Sequence, residues 1–195
     1  MSQSRSLRAV DYPRMPWKNG AGSTLEIARD AGDGLDGFGW RLSIADVGES
    51  GGFSAFTGYQ RVITVLEGSG MRLEVDGQAS RDLKALDAFA FDGGSVVQCE
   101  LIDGPIRDFN LIYSPKRYAA RLQWLRVDGE LKLFSSAGTL LLFAAEGGVS
   151  LSVDGQRSEV LGQHDCLHLE ASGELAELTL SARGAACCLI ELTPR

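Results

Sequence analysis

The feature that most constrains this chain is an internal repeat. Leu73-Glu74-Val75-Asp76-Gly77-Gln78 recurs as Leu151-Ser152-Val153-Asp154-Gly155-Gln156, an offset of 78. At the same offset Leu86-Asp87-Ala88-Phe89-Ala90-Phe91 meets His164-Asp165-Cys166-Leu167-His168-Leu169. Upstream, Leu66-Glu67-Gly68 meets Ala145-Glu146-Gly147 with one residue of slip; downstream, Asn110-Leu111-Ile112 meets Cys188-Leu189-Ile190. Turn and strand positions coincide over roughly 45 residues, which is the signature of one structural unit used twice. The copies join near Ser114-Pro115-Lys116-Arg117, so the expected division is 1–114 and 115–195, packed as one unit.

The repeated unit reads as β. Alternating apolar segments such as Trp40–Val47, Arg61–Leu66 and Thr139–Ala145 are short and closed by Gly or Asp-Gly turns, and the chain carries 24 glycines. One segment, 115–125, also has helical spacing through Tyr118, Leu122 and Leu125. The order strand, Leu-Glu-Gly, strand, Val-Asp-Gly, strand, Asp, strand resembles the cupin barrel, a small jelly roll. In that superfamily a Gly-Asp pair marks a turn before a short apolar strand. Asp87 and Asp165 take its place, with Leu86 and His164 where the glycine stands. The fold class expected is therefore all-β: a double-stranded β-helix (jelly-roll) cupin with two tandem barrels, a bicupin.

Bulk properties narrow the partners. A net charge of −7 speaks against nucleic acid, whose phosphates need a Lys/Arg surplus. No apolar run reaches the length of a membrane span and no signal-peptide core opens the chain, so a cytoplasmic protein without membrane association is expected. Cys99, Cys166, Cys187 and Cys188 include no CxxC pair and read as buried free thiols. Jelly-roll sheets often pair across a two-fold axis, so a homodimer is one expectation.

Cupin barrels often hold a metal through a His-x-His pair, a Glu and a third His. Placed on Glu67-Gly68, that pattern falls on Ser54, Phe56, Arg61 and Val97, and the chain has only His164 and His168. No metal or other cofactor is expected. His164, Cys166, His168 and Glu170 alternate, but Leu167 and Leu169 align with the apolar Phe89 and Phe91, so the His/Cys face points away from the core. Ligands on one straight strand also converge poorly on a tetrahedral ion.

A cation at the place of the cupin carboxylate suggests an anion site instead. The Arg61 guanidinium suits a carboxylate through two parallel hydrogen bonds. Lys18 and Arg41 add charge; Asn19, Thr24, Ser43, Ser54 and Asn110 offer neutral polar contacts; Trp17, Trp40, Phe53, Phe56 and Tyr59 offer apolar walls. Arg61 reads equally as a strand-edge surface residue or as an internal partner of Glu26 or Asp108. Glu26 reads as a general base or as the partner of Arg61 or Arg41. The stretch Met15–Thr24 reads as a lid or wall over this cationic barrel, or as a Trp plugging the barrel end with Asn19-Gly20 as an ordinary turn.

Met15-Pro16-Trp17-Lys18-Asn19-Gly20-Ala21-Gly22-Ser23-Thr24, Trp40-Arg41-Leu42-Ser43-Ile44-Ala45, Phe53-Ser54-Ala55-Phe56-Thr57-Gly58-Tyr59-Gln60-Arg61 and Leu66-Glu67-Gly68 resemble the HutD/Ves family. Ala21 stands where that family often has a further Gly. The resemblance implies a cytoplasmic bacterial bicupin, linked through HutD with histidine-utilisation genes and through Ves with stress response. It brings no assigned catalytic activity. The role it implies is accessory or regulatory, sensing a small carboxylate such as formylglutamate or urocanate, which agrees with the reading of Arg61. The alternatives are a metal-independent isomerase or hydrolase using Glu26, and an interaction scaffold, for which the C-terminal copy is suited because it lacks the polar cluster.

Overall fold

Strand follows strand with one 3-10 turn among the described residues, Ala9–Asp11. The structure is a computed structural model and describes residues 3–32 and 37–195; part of the glycine-rich loop expected over 30–39 lies outside the described residues. The first strands are β1 (Gln3–Leu7), β2 (Arg14–Pro16), β3 (Gly22–Arg29), β4 (Trp40–Val47), β5 (Gly51–Phe53) and β6 (Gln60–Glu67). Next come β7 (Met71–Val75), β8 (Gln78–Ala79), β9 (Ala88–Asp92), β10 (Val97–Leu101) and β11 (Ile106–Tyr113). The last six are β12 (Tyr118–Ser135), β13 (Thr139–Ala144), β14 (Ser150–Val153), β15 (Gln156–Arg157), β16 (Cys166–Glu170) and β17 (Ala176–Pro194).

The chain forms two jelly-roll units of cupin type. One comprises Pro13–Arg117, the other Met1–Tyr12 with Tyr118–Arg195. The first twelve residues thus group with the C-terminal copy, not with the unit 1–114 suggested by the repeat. β1 pairs antiparallel with β16, Gln3 opposite Glu170 through Leu7 opposite Cys166. Asp165 then accepts from the Ala9 N–H and from Arg8, both at 2.8 Å, and the Tyr12 hydroxyl donates to the His164 carbonyl at 2.9 Å. These bonds join residues more than 150 apart, so no local pattern announces them.

The repeat holds at atomic detail. Asp76 and Gly77 have φ of 50° and 79°, Asp154 and Gly155 46° and 83°, giving both copies a turn with two left-handed residues that matches strand twist. Ser80 and Ser158 each return an N–H at 2.7 Å, to the carbonyls of Leu73 and Leu151. Leu86 and His164 are left-handed too, φ 63° and 64°, which is the physical reason glycine suits that position. The tail of the repeat is shifted by one from its sequence alignment. Ile63 faces Asn110 and Leu142 faces Leu189, so Asn110 corresponds to Leu189, not to Cys188.

In the N-terminal unit a six-stranded sheet, β2-β3-β4-β11-β6-β9, and a four-stranded sheet, β5-β10-β7-β8, enclose a core of Val47, Ile63, Val65, Met71, Leu73, Leu83, Val97, Cys99 and Ile106. The C-terminal unit is one seven-stranded sheet around an apolar core of Leu140, Leu142, Leu151, Leu161, Leu167, Leu178, Leu180 and Leu189 among others. The helical spacing at 115–125 is overridden: β12 runs through it and pairs with β17, Leu122 opposite Ile190 and Trp124 opposite Cys188. Among the described residues no helix is long and apolar enough to cross a membrane.

Candidate functional site

Antiparallel register builds the site in rows across the six-stranded sheet of the N-terminal unit. Residues directly opposite one another share a face, and every second residue along a strand returns to it. Arg29, Arg41, Ile112, Arg61 and Phe91 form one row. Glu26, Ser43, Asn110, Ile63 and Phe89 form the next, followed by Thr24, Ala45, Asp108 and Val65, and then by Gly22, Val47 and Ile106. Because Val47, Ile63, Val65 and Ile106 belong to the core, all four rows look into the barrel. Its interior is polar and cationic at one end and apolar at the other.

Arg29 reaches this face through a bulge. Glu26 stands opposite Ser43 but Ala28 opposite Leu42, so Ile27 is the extra residue. Simple alternation along the strand would put Ala28 beside Glu26 and turn Arg29 away; the bulge exchanges them. Arg29 Nε then donates to Glu26 Oε1 and Arg41 Nε to Glu26 Oε2, both at 2.7 Å. Burial works against the charge on Glu26, but the hydrogen bonds from Arg29 and Arg41 outweigh it and hold the carboxyl below its usual range.

Arg61 is enclosed, 6% exposed. Nη1 donates to the Ser54 carbonyl at 3.1 Å and Nη2 to Asn110 Oδ1 at 2.9 Å. The guanidinium carbon lies 5.7, 5.4 and 5.1 Å from the ring centres of Phe53, Phe56 and Phe91. Its Nε is buried with no hydrogen-bond acceptor among the described residues. Burial pulls the guanidinium down to about 10, opposed by Asp108 and reinforced by Arg41, which leaves it charged at neutral pH. Asn110 also donates through Nδ2 to Asp108 Oδ1.

The motif residues Trp17, Lys18 and Asn19 do not join Arg61. They form the hairpin between β2 and β3: Gly20 N–H donates to the Trp17 carbonyl at 3.0 Å, Ala21 N–H to Asn19 Oδ1 at 3.1 Å, and Gly20 has φ 73°. Lys18 and Asn19 are exposed. Trp17 packs on the barrel core and its indole N–H donates to Thr24 Oγ1 at 2.9 Å. This hairpin adjoins the Gly22–Val47 row, six residues along β4 from Arg41, about 20 Å at the rise of a strand. Trp17 is therefore a plug of the apolar end, and the lid over Arg61 expected from the motif is absent. An open groove of about 500 Å³ lies at the plugged end, lined by Gly20, Gly22, Asp46, Gly48, Glu67 and Arg107.

The structure brings Glu26, Arg41, Ser43, Ser54, Phe56 and Arg61 together at the other end, Ser54 through its backbone carbonyl. Thr24 lies between the two ends, bonded to Trp17. Phe53 joins Arg61, and Tyr59 contributes through Phe38, whose carbonyl accepts its hydroxyl at 2.7 Å. Trp40 alternates with Arg41 and belongs to the opposite face. Arg29 and Phe91 are additions that the residue pattern did not supply. Asp108 enters as a member of the cluster rather than only as a partner for Arg61.

The C-terminal barrel lacks this end. By the corrected register Arg61, Asn110 and Asp108 correspond to Leu140, Leu189 and Cys187, all in its apolar core. Of the alternating His/Cys set, Cys166, His168 and Glu170 lie on β16 and His164 precedes it. His164 sits in the turn before β16, stacked on Phe143 with ring centres 5.7 Å apart. His168 accepts from Arg5 at Nδ1 and meets Glu170 through Nε2 at 2.6 Å. Leu167 and Leu169 face the core, as the alignment with Phe89 and Phe91 indicated. All four cysteines are buried free thiols.

Comparison with known proteins places this geometry. Two solved structures under 25% identical show the same fold: the Escherichia coli protein Ylba (TM-score 0.74, 8% identity, 99% of this chain and 92% of that one) and the nickel(II) complex of the E. coli pirin YhhW (0.70, 11%, 99% and 100%). HutD from Pseudomonas fluorescens SBW25, in a formate condition, is 60% identical with a TM-score of 0.87 over 99% of this chain and 100% of that one. A 21.2 kDa protein in the hutC 3' region of Pseudomonas putida is 63% identical over the full length of both chains. Protein Ves of Escherichia fergusonii is 33% identical over 85% of this chain and 89% of its own. With the HutD family model matching residues 9–189 as well, the chain belongs to the HutD family.

Proposed function

We propose that the protein is a non-enzymatic accessory or regulatory protein of histidine utilisation that binds a small carboxylate at the Arg61 end of its N-terminal barrel. The observation that carries this reading is the buried Arg61 with an Nε that meets no acceptor among the described residues. A buried donor left unmade is costly, and an oxygen of a bound carboxylate is the chemically matched acceptor. The charges agree: among the described residues this end brings three guanidiniums, Arg29, Arg41 and Arg61, to the carboxyls of Glu26 and Asp108. The Phe53, Phe56 and Phe91 rings supply apolar walls for the rest of a ligand. The hutC 3' region relative and the likeness to HutD support a link with histidine utilisation, and the ligand proposed is a carboxylate of the formylglutamate or urocanate kind. Four buried free thiols suit the cytoplasm.

Glu26 as the general base of an enzyme is less favoured. Gripped by two guanidiniums and held below the usual carboxylate range, it is a weak proton acceptor. The test of the binding reading is a thermal-shift titration with N-formyl-L-glutamate and with urocanate. One of them stabilises the wild type, and Arg61→Lys, which keeps the charge but not the fork, loses most of the shift. Equal shifts in wild type and variant, or none in either, overturn the reading.

A further inference from the structure

Arg61, Asn110 and Asp108 form a directed row on the inner faces of β6 and β11. The Asn110 amide is oriented by both neighbours: its oxygen accepts from Arg61 Nη2 and its nitrogen donates to Asp108 Oδ1. Asp108 lies on the inner side of that amide, 1% exposed, with apolar Ala45 and Val65 opposite it on the two adjacent strands. Bulk solvent barely reaches it.

The charges around Asp108 come from every neighbouring strand. β6 supplies Arg61, and β4 supplies Arg41 together with Asp46, a like charge. β3 supplies Glu26 and Arg29, already engaged with each other, and β10 the Cys99 thiol. Arg61 is the cation that most favours the carboxylate, and burial still outweighs it: Asp108 is pushed up to about 7, with Arg61 and Asn110 pulling the other way and Asp46 adding to the rise. A carboxylate ligand on Arg61 cancels that pull. It also places a second negative charge one side chain away in a water-poor interior, where two such charges do not both persist.

We propose that Asp108 is the proton-accepting residue of the anion site, so that the carboxylate ligand is bound together with one proton. The proton comes from solvent, an O–H bond forms on the Asp108 carboxyl, and no bond of the ligand breaks. The inference rests on the reading of Arg61 as the cation that holds the ligand. The C-terminal barrel, with Leu140, Leu189 and Cys187 in the corresponding places, has neither the cation nor the proton acceptor.

Isothermal titration calorimetry in two buffers of different protonation enthalpy tests it, with N-formyl-L-glutamate and formate as probes. Neither probe titrates near pH 7, so protons counted there belong to the protein. Expected at pH 7 is uptake approaching about half a proton per ligand bound, since Asp108 is then about half protonated before binding. Affinity falls by up to about tenfold per pH unit above 7. In Asp108→Asn binding persists with no proton uptake and no pH dependence there. Binding by the wild type without uptake, or uptake unchanged in Asp108→Asn, overturns the inference and leaves the ligand reading standing. No binding of either probe by heat or thermal shift removes both. Should Asp108→Asn not fold, the infrared difference spectrum of the wild type decides: a protonated-carboxyl band that grows on adding probe supports the inference, and its absence overturns it.

Discussion

Arg41 Nε donates to Glu26 Oε2 at 2.7 Å, and the arginine is the more deeply buried partner, 4% exposed against 17% for the glutamate. The carboxylate is thus what makes a buried guanidinium tolerable, and Arg29 shares it. Glu26→Gln leaves Arg41 enclosed without its counter-charge and costs about 3 kcal/mol in a urea unfolding titration, in the range seen when one partner of a buried pair is removed. The pH dependence has a definite sign. A carboxyl held below its usual range contributes stability that is complete above about 4.3 and is lost as pH falls through its folded value. Wild type and Glu26→Gln therefore converge in acid.

Asp108 has the opposite sign. Raised to about 7, it keeps a proton in the folded state that the unfolded chain releases near pH 4. Stability contributed by its neutral form is complete below about pH 4 and is lost as pH rises to about 7. Asp108→Asn removes that slope. It matches the wild type near pH 4 and exceeds it at pH 8 by up to about 4 kcal/mol, read from unfolding curves at the two pH values.

The two glycines flanking Ala21 differ in what they cannot accommodate. At Gly22 a Cβ would lie 2.3 Å from the Asp46 carbonyl oxygen and 3.1 Å from the Trp17 ring, a clash with backbone that only strand displacement relieves. Gly22→Ala loses about 3 kcal/mol or more and disturbs the hairpin. Gly20 has open space around it but φ 73°, so Gly20→Ala costs only the left-handed penalty, about 1 kcal/mol. Chemical denaturation of the pair separates overlap from conformational strain.

Trp17 holds the plugged end by packing and one indole hydrogen bond. Trp17→Phe keeps most of the packing and loses about 1 kcal/mol, while Trp17→Ala loses about 3 kcal/mol. Because the plug is about 20 Å from Arg61 along the sheet, Trp17→Phe retains the full ligand-induced thermal shift. A shift reduced as much as in Arg61→Lys would mean that the two ends act as one site.

The fold was legible because its signals are local. The Asp76-Gly77 and Asp154-Gly155 turns need a residue pair that tolerates left-handed backbone, and strand alternation needs only a period of two. Sequence therefore gives the β units and the repeat. The candidate site was legible only in part. Arg61 stood out as a cation in a carboxylate's place, and Glu26 as a partner for Arg41. Arg29 was hidden, since the bulge at Ile27 reverses the face on which it falls. Lys18 and Asn19 were drawn to the site by their chemistry, but the register of β3 against β4 sends their hairpin to the other end of the barrel.

Local residue chemistry determined by itself that this chain is a duplicated jelly roll with free thiols, no cupin metal triad and a cation where that triad would be. Tertiary structure alone decided which barrel end each polar group occupies, that Gln3–Leu7 pair with a strand of the second copy, and that Asp108 lies buried beside Asn110. Those properties depend on strand register, on a one-residue bulge and on contacts between residues far apart in sequence. No short stretch of sequence carries that information, because the energies that set it arise only when both partners are in place.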